Sequence, residues 1–195
     1  GRLLPFEQEK YVARGEKILS TYYTYKKSTI TGEAIVECNF AKQGVMIDGA
    51  HITGKIDKME LLSDNEYRVI DLKTGKGFSS FDEPKQSVYD AIKLHHYRLQ
   101  LMMYKLLVEN SRDYEKYTVT EGVLEFVEEE EEGEIQTITL SFDTKEVKEE
   151  LLKCKALASI VYQKIAALDF PDTEKYPKTL EGIQEFEDDL LKGTI

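Results

Sequence analysis

The 195-residue sequence predicts an α/β chain, with a central mixed β-sheet flanked by helices. Three observations carry that expectation. Strand-like runs at 34–40, 45–62 and 67–73 follow one helical stretch. Apolar residues between 87 and 109 then recur at helical spacing. Two further strand-like runs come before another helical stretch at 145–168.

Taken in order, Phe6 to Lys27 carries Tyr11, Ile18, Tyr22 and Tyr25 with Val12, Leu19 and Tyr23 beside them, which is the spacing of a helix. Ala34 to Phe40 and Val45 to Ile52 are read as strands around Lys42-Gln43-Gly44, the second continuing to about Leu62. After Ser63-Asp64-Asn65-Glu66, Tyr67 to Lys73 closes an antiparallel meander. Gly, Ser and Pro make 76–85 a loop. Val88, Ile92, Leu99, Met102, Met103 and Leu106 define a helix from Ser87 to Glu109. Val119 to Val127 and Ile135 to Phe142 form a hairpin across Glu128 to Glu134, whose acidic run reads as a solvated loop. Lys145 to Leu168 and Leu180 to Leu191 supply two last helices, and no internal repeat is present.

Residues 1–195 are expected to form a single domain, with the ordinary globular composition of 41% hydrophobic and 32% charged residues. No apolar run reaches the roughly eighteen residues of a membrane-spanning helix, and the first residues lack a signal-peptide pattern. A cytoplasmic protein without a membrane partner is therefore expected. Cys38 and Cys154 stand far apart and outside any CxxC pattern, which argues for buried free thiols and against a disulfide or cysteine-ligated metal. The net charge of −11 is uneven: residues 1–110 hold 16 basic and 15 acidic side chains, residues 111–195 hold 10 and 22. A phosphate-binding face can survive on the first half, with help from a metal or a larger partner.

Two acids interrupt strand-like runs: Asp57 in Gly54-Lys55-Ile56-Asp57-Lys58 and Asp71 in Val69-Ile70-Asp71-Leu72-Lys73-Thr74-Gly75. Two such carboxylates can hold a divalent cation while a lysine two residues further on supplies positive charge beside a scissile phosphate. In a strand, Asp71 and Lys73 share a face about 7 Å apart. Asp57 joins them only if it opposes Asp71 or Lys73 and not Leu72, which requires an odd-length turn near Ser63 to Glu66 or a bulge. The bland alternative is an exposed ion-pair cluster on a polar sheet face. A carboxylate directly after Val69-Ile70 argues against it, because an unpaired buried charge is costly. The string Gly49-Ala50-His51-Ile52-Thr53-Gly54-Lys55 matches GxxxxGK, yet Ile56 stands where a P-loop needs Ser or Thr, so nucleotide binding is rejected. Gly54 is read instead as a small residue inside a strand where another group comes close.

Together with Gln100-Leu101-Met102-Met103-Tyr104, these strings resemble the RecB-type branch of the PD-(D/E)XK nuclease superfamily. In particular they are similar to the nuclease-like domain at the C-terminus of UvrD-like superfamily 1 DNA helicases. The resemblance spans about residues 10–170. It implies a restriction-endonuclease-like fold, Mg²⁺ or Mn²⁺ as cofactor, DNA as substrate, and the helicase core domains of a longer parent polypeptide as partners. By position it implies Asp57, Asp71 and the Leu72 carbonyl as metal ligands, Lys73 as the catalytic lysine, and Glu37, Gln100 and Tyr104 as supporting residues. The sequence departs from the branch at Leu19, which follows Arg14-Gly15-Glu16-Lys17-Ile18 where active members carry a histidine ligand. It also lacks the cysteines of an iron–sulfur cluster.

Three functions follow: a metal-dependent DNA nuclease domain of a helicase or repair protein, a weak or inactive descendant that binds DNA or braces the helicase, and an unrelated acidic interaction module. Gln100 and Tyr104 are weighed evenly between site support and plain helix packing. His96, on the same helix line, is read as a surface residue, and Met102-Met103 as core filler. Tyr22, Tyr23 and Tyr25 suit either base stacking or, more commonly, packing on a sheet.

Overall fold

A computed structural model of the chain describes residues 4–28, 33–75, 77–82, 87–128 and 135–195. Its elements are α1 (Pro5–Lys26), β1 (Ala34–Asn39), β2 (Met46–Ile47), β3 (Ala50–His51), β4 (Lys55–Ser63), β5 (Glu66–Lys73), α2 (Val88–Glu109), β6 (Thr118–Phe126), β7 (Thr137–Ser141), α3 (Lys145–Ala167) and α4 (Leu180–Lys192). Five strands make one sheet in the order β1-β4-β5-β6-β7. Only β5 and β6 pair in parallel, joined through α2, so the sheet is mixed as the element order predicts.

The run read as one strand from Val45 to Leu62 is broken. Asp48 and Gly49, at φ of 46° and 87°, turn β2 back on β3 as a separate two-stranded hairpin before β4 begins. Positive φ at both central residues is the turn an Asp-Gly pair favours, and it outweighs the β-propensity of the flanking residues. Gly54 accordingly lies just ahead of β4 and not inside it, where a Cβ would come 2.7 Å from Leu107 Cδ1 of α2. The tip read at Glu128 to Glu134 falls largely outside the described residues, as does part of the 76–85 loop.

Alternation along the strands gives the sheet two different faces. Val69 pairs with Met59 and Gly122, and Leu124 pairs with Ile138, so these residues share the face that meets α2 and carries the main core. Leu101, Met59, Val69, Leu124 and Phe126 are fully buried there. Gly122 lets the helix come close, for a Cβ at that position would lie 3.0 Å from Leu101 Cβ and 3.2 Å from Phe142 Cζ. At the far end of α2, the Lys105 ammonium donates to the Val119 carbonyl at 2.6 Å and the Glu109 carboxylate accepts the Val119 amide at 2.8 Å. Ser87 caps the helix start by accepting the Asp90 amide. Arg98 makes a two-pronged ion pair with Glu150 of α3, and His95 meets Glu187 of α4 at 2.8 Å, which holds those helices on the same side as α2.

The opposite face is polar and is crossed by α1. The Tyr22 hydroxyl donates to the Glu125 carboxylate at 2.6 Å, and Lys26 pairs with the same buried group. Tyr23 and Tyr25 face solvent, so of the three tyrosines only Tyr22 packs on the sheet. In β1, Glu37 has φ of 55°. Ile35 packs on the core and Cys38 lies within it. Three residues apart, they would point to opposite faces of a regular strand, and the left-handed Glu37 absorbs that mismatch.

Candidate active site

The β4–β5 turn decides whether the two acids meet. It spans only Asp64 and Asn65, a length that alone would set Asp57 against Leu72, but the register shifts between Leu61 and Ser63. Lys58 therefore pairs with Ile70, the last pair of the ladder, and continuing that register by one residue would bring Asp57 opposite Asp71 and not Leu72. The bulge that the acid positions require is present. Beyond that pair, the Leu72 amide donates to Asp57 Oδ2 at 2.9 Å, which ties the carboxylate to the end of β5 between Asp71 and Lys73.

Asp71 is 3% exposed, which excludes the exposed ion-pair cluster. Its row on the sheet continues through Leu124 and Ile138, so the carboxylate stands beside apolar neighbours and needs donors. Oδ1 has two: Gln100 Nε2 at 2.8 Å and the Tyr104 hydroxyl at 2.7 Å. Gln100 Nε2 also reaches the Tyr104 oxygen at 2.8 Å. Both side chains come from adjacent turns of α2, at i and i+4, beside the close approach at Gly122. Oδ2 receives no aligned hydrogen bond, although the Lys73 ammonium lies 2.6 Å away as an ion pair. That ammonium also donates to Gln100 Oε1 at 2.7 Å and sits 4.2 Å from the centre of the Tyr97 ring.

Electrostatics follow from this packing. Burial, reinforced by the bond to Asp71, pushes the Tyr104 phenol far above its ordinary range, so it stays a neutral donor at any working pH. Burial also raises the Tyr97 phenol, with the Asp71 carboxylate adding to the effect.

The loop after Lys73 is anchored to α1. Gly75, at φ of 97°, turns its amide to Glu128 Oε1 at 2.9 Å, while Glu128 Oε2 accepts from Arg14. Glu128 is therefore a tether and not merely part of a solvated tip.

Of the residues singled out in the sequence, Asp57, Asp71, Lys73, Gln100 and Tyr104 come together, whereas His96 is exposed. Glu37 is turned outward and pairs with Lys55. Leu19 is 69% exposed on α1. Sequence reasoning missed Tyr97, although its position three residues before Gln100 put it on the same helix face, and it missed Arg14 and Glu128, whose pairing across 114 residues left no local signal.

Asp71 Oδ2, buried without an aligned hydrogen bond and 2.6 Å from the Lys73 ammonium, and the Asp57 carboxylate, tied to the Leu72 amide, are the acidic oxygens at this end of β5 that could hold a divalent cation. Among the described residues no three His, Cys, Asp or Glu side chains are grouped closely enough to hold a metal on their own, and no helix is long and apolar enough to cross a membrane. No curated protein matches the chain. The sequence profile of the PD-(D/E)XK nuclease superfamily matches residues 3–181, a span that holds the whole five-stranded sheet, and members of that superfamily generally use divalent metals. A mixed sheet whose parallel pair ends in a buried aspartate and a lysine is what that match leads one to expect, and the chain belongs to the PD-(D/E)XK nuclease superfamily.

Proposed function

We propose that this chain hydrolyses phosphodiester bonds of DNA with the help of Mg²⁺ or Mn²⁺, as the RecB-type nuclease domain of a longer UvrD-like helicase or repair protein. The observation that carries the reading is the division of labour on Asp71: helix donors saturate Oδ1, and Oδ2 meets only the Lys73 ammonium, a place a divalent cation would contest. Asp57, Asp71 and the Leu72 carbonyl are the groups that would hold the metal. When bound, such an ion withdraws charge from the phosphate and lowers the pKa of a water molecule.

The chain's own residues do the rest. Gln100 and Tyr104 fix the Asp71 carboxylate so that Oδ2 keeps one orientation, and the Leu72 amide does the same for Asp57. Lys73 brings its ammonium to the same end of β5, where it offsets charge on a phosphate as the bond to the leaving oxygen breaks. Glu37, turned outward and paired with the exposed Lys55, lies outside this set.

A weak or inactive nuclease-like domain is the second reading, and Leu19 favours it. Where relatives place a histidine, this chain has an exposed leucine, so a metal would have only two carboxylates, a carbonyl and water to hold it. Digestion of labelled single- and double-stranded DNA with Mg²⁺ or Mn²⁺ tests both. Cleavage that disappears in Lys73→Ala and in chelator supports hydrolysis. Binding without cleavage supports the second reading.

A further inference from the structure

From one position the Lys73 ammonium makes three contacts: Asp71 Oδ2 at 2.6 Å, Gln100 Oε1 at 2.7 Å and the Tyr97 ring at 4.2 Å. A divalent cation on Asp71 would displace the first contact and repel the lysine, so any role for Lys73 during turnover depends on the other two. A neutral amide oxygen holds an ammonium, but does so better when an aromatic face lies against it. Tyr97 is placed for this. It stands one turn before Gln100 on α2, and its ring packs near Phe126 of β6, centroids 6.4 Å apart, which limits its motion. A second cation, Lys93, approaches the same ring at 5.6 Å.

We propose that Tyr97 is a positioning residue that keeps Lys73 seated at the scissile phosphate after a divalent cation takes Asp71 Oδ2. This rests on the metal-dependent reading above. The ring face does the holding, so Phe should replace Tyr and an aliphatic residue should not.

The test follows the Lys73 εCH₂ signals by NMR in the full 195-residue chain carrying labelled lysine, with Lys73→Met to assign them. Ring current should shift them upfield in the wild type and in Tyr97→Phe, before and after saturating Mg²⁺, and not in Tyr97→Leu. In digestion assays, Tyr97→Leu should lower kcat about tenfold with KM and Mg²⁺ dependence unchanged, and Tyr97→Phe should recover to within about threefold. An unshifted Lys73 signal in the wild type overturns the proposal. So does a shift that vanishes when Mg²⁺ moves the Asp71 and Leu72 amide signals. If Mg²⁺ moves neither amide, the metal reading itself falls and takes the role of Tyr97 with it, an outcome distinct from the loss of the ring shift alone.

Discussion

The Tyr104 hydroxyl donates to Asp71 Oδ1 at 2.7 Å, joining the C-terminal half of α2 to the end of β5 beneath the sheet's apolar face. A carboxylate buried to 3% exposure is tolerated there because Tyr104 and Gln100 satisfy one oxygen and Lys73 neutralises the other. Stability and the proposed chemistry thus draw on the same four side chains.

Tyr104→Phe keeps the ring and removes one donor to a buried charge. It should cost about 1–3 kcal/mol of stability, read from urea unfolding. An unchanged midpoint would mean that Gln100 and Lys73 alone satisfy Asp71.

The tether at Glu128 gives a pH dependence. The Arg14 guanidinium, aided by the Gly75 amide, holds the Glu128 carboxyl below its ordinary value of 4.5. Its folded pKa is thus lower than its unfolded one, so its contribution is complete above about pH 4.5 and is lost as pH falls through the depressed value. Hydrogen-exchange protection of α1 relative to the sheet should fall in that acidic window. In Glu128→Gln it should be low at every pH. A wild-type α1 equally protected on both sides of the window would contradict the tether.

Gly122→Ala tests how closely α2 sits on β6. The added methyl meets Leu101 Cβ at 3.0 Å, so either the helix or the strand must shift, and a loss of about 1–3 kcal/mol is expected from thermal or denaturant unfolding. Because Gln100 adjoins Leu101, the same substitution should reduce cleavage more than its stability loss explains. A neutral effect on both would show that the contact relaxes freely.

Both thiols should be silent in the native chain. Burial, with the Glu187 carboxylate nearby, pushes the Cys154 thiol up to about 12, and burial also raises Cys38. A chromogenic disulfide reagent at pH 8 should label neither until denaturant exposes both. Rapid reaction of either one in the native chain would contradict the burial.

Much of this was legible in the sequence for local reasons. Alternation and helical periodicity marked the main strands and helices, and the positions of Asp57 and Asp71 required an odd-length turn or a bulge, of which the structure has the bulge, between Leu61 and Ser63. The Asp48-Gly49 turn carried a local signal that β-propensity on either side obscured. The left-handed Glu37 was less accessible, because it answers to where Ile35 and Cys38 must point and not to any preference of its own. Pairings such as Arg14 with Glu128 and Tyr22 with Glu125 depend on how α1 crosses the sheet, which no local pattern encodes.

The most direct test of the central claim is the melting temperature of the wild type and of Asp71→Asn, each with and without Mn²⁺. A ligand bound only by the folded state stabilises it, by about 2.7 kcal/mol at a hundred times its Kd. Mn²⁺ should therefore raise the wild-type Tm and leave that of Asp71→Asn unmoved. Equal shifts in the two proteins, or none in the wild type, would contradict a metal site at Asp71.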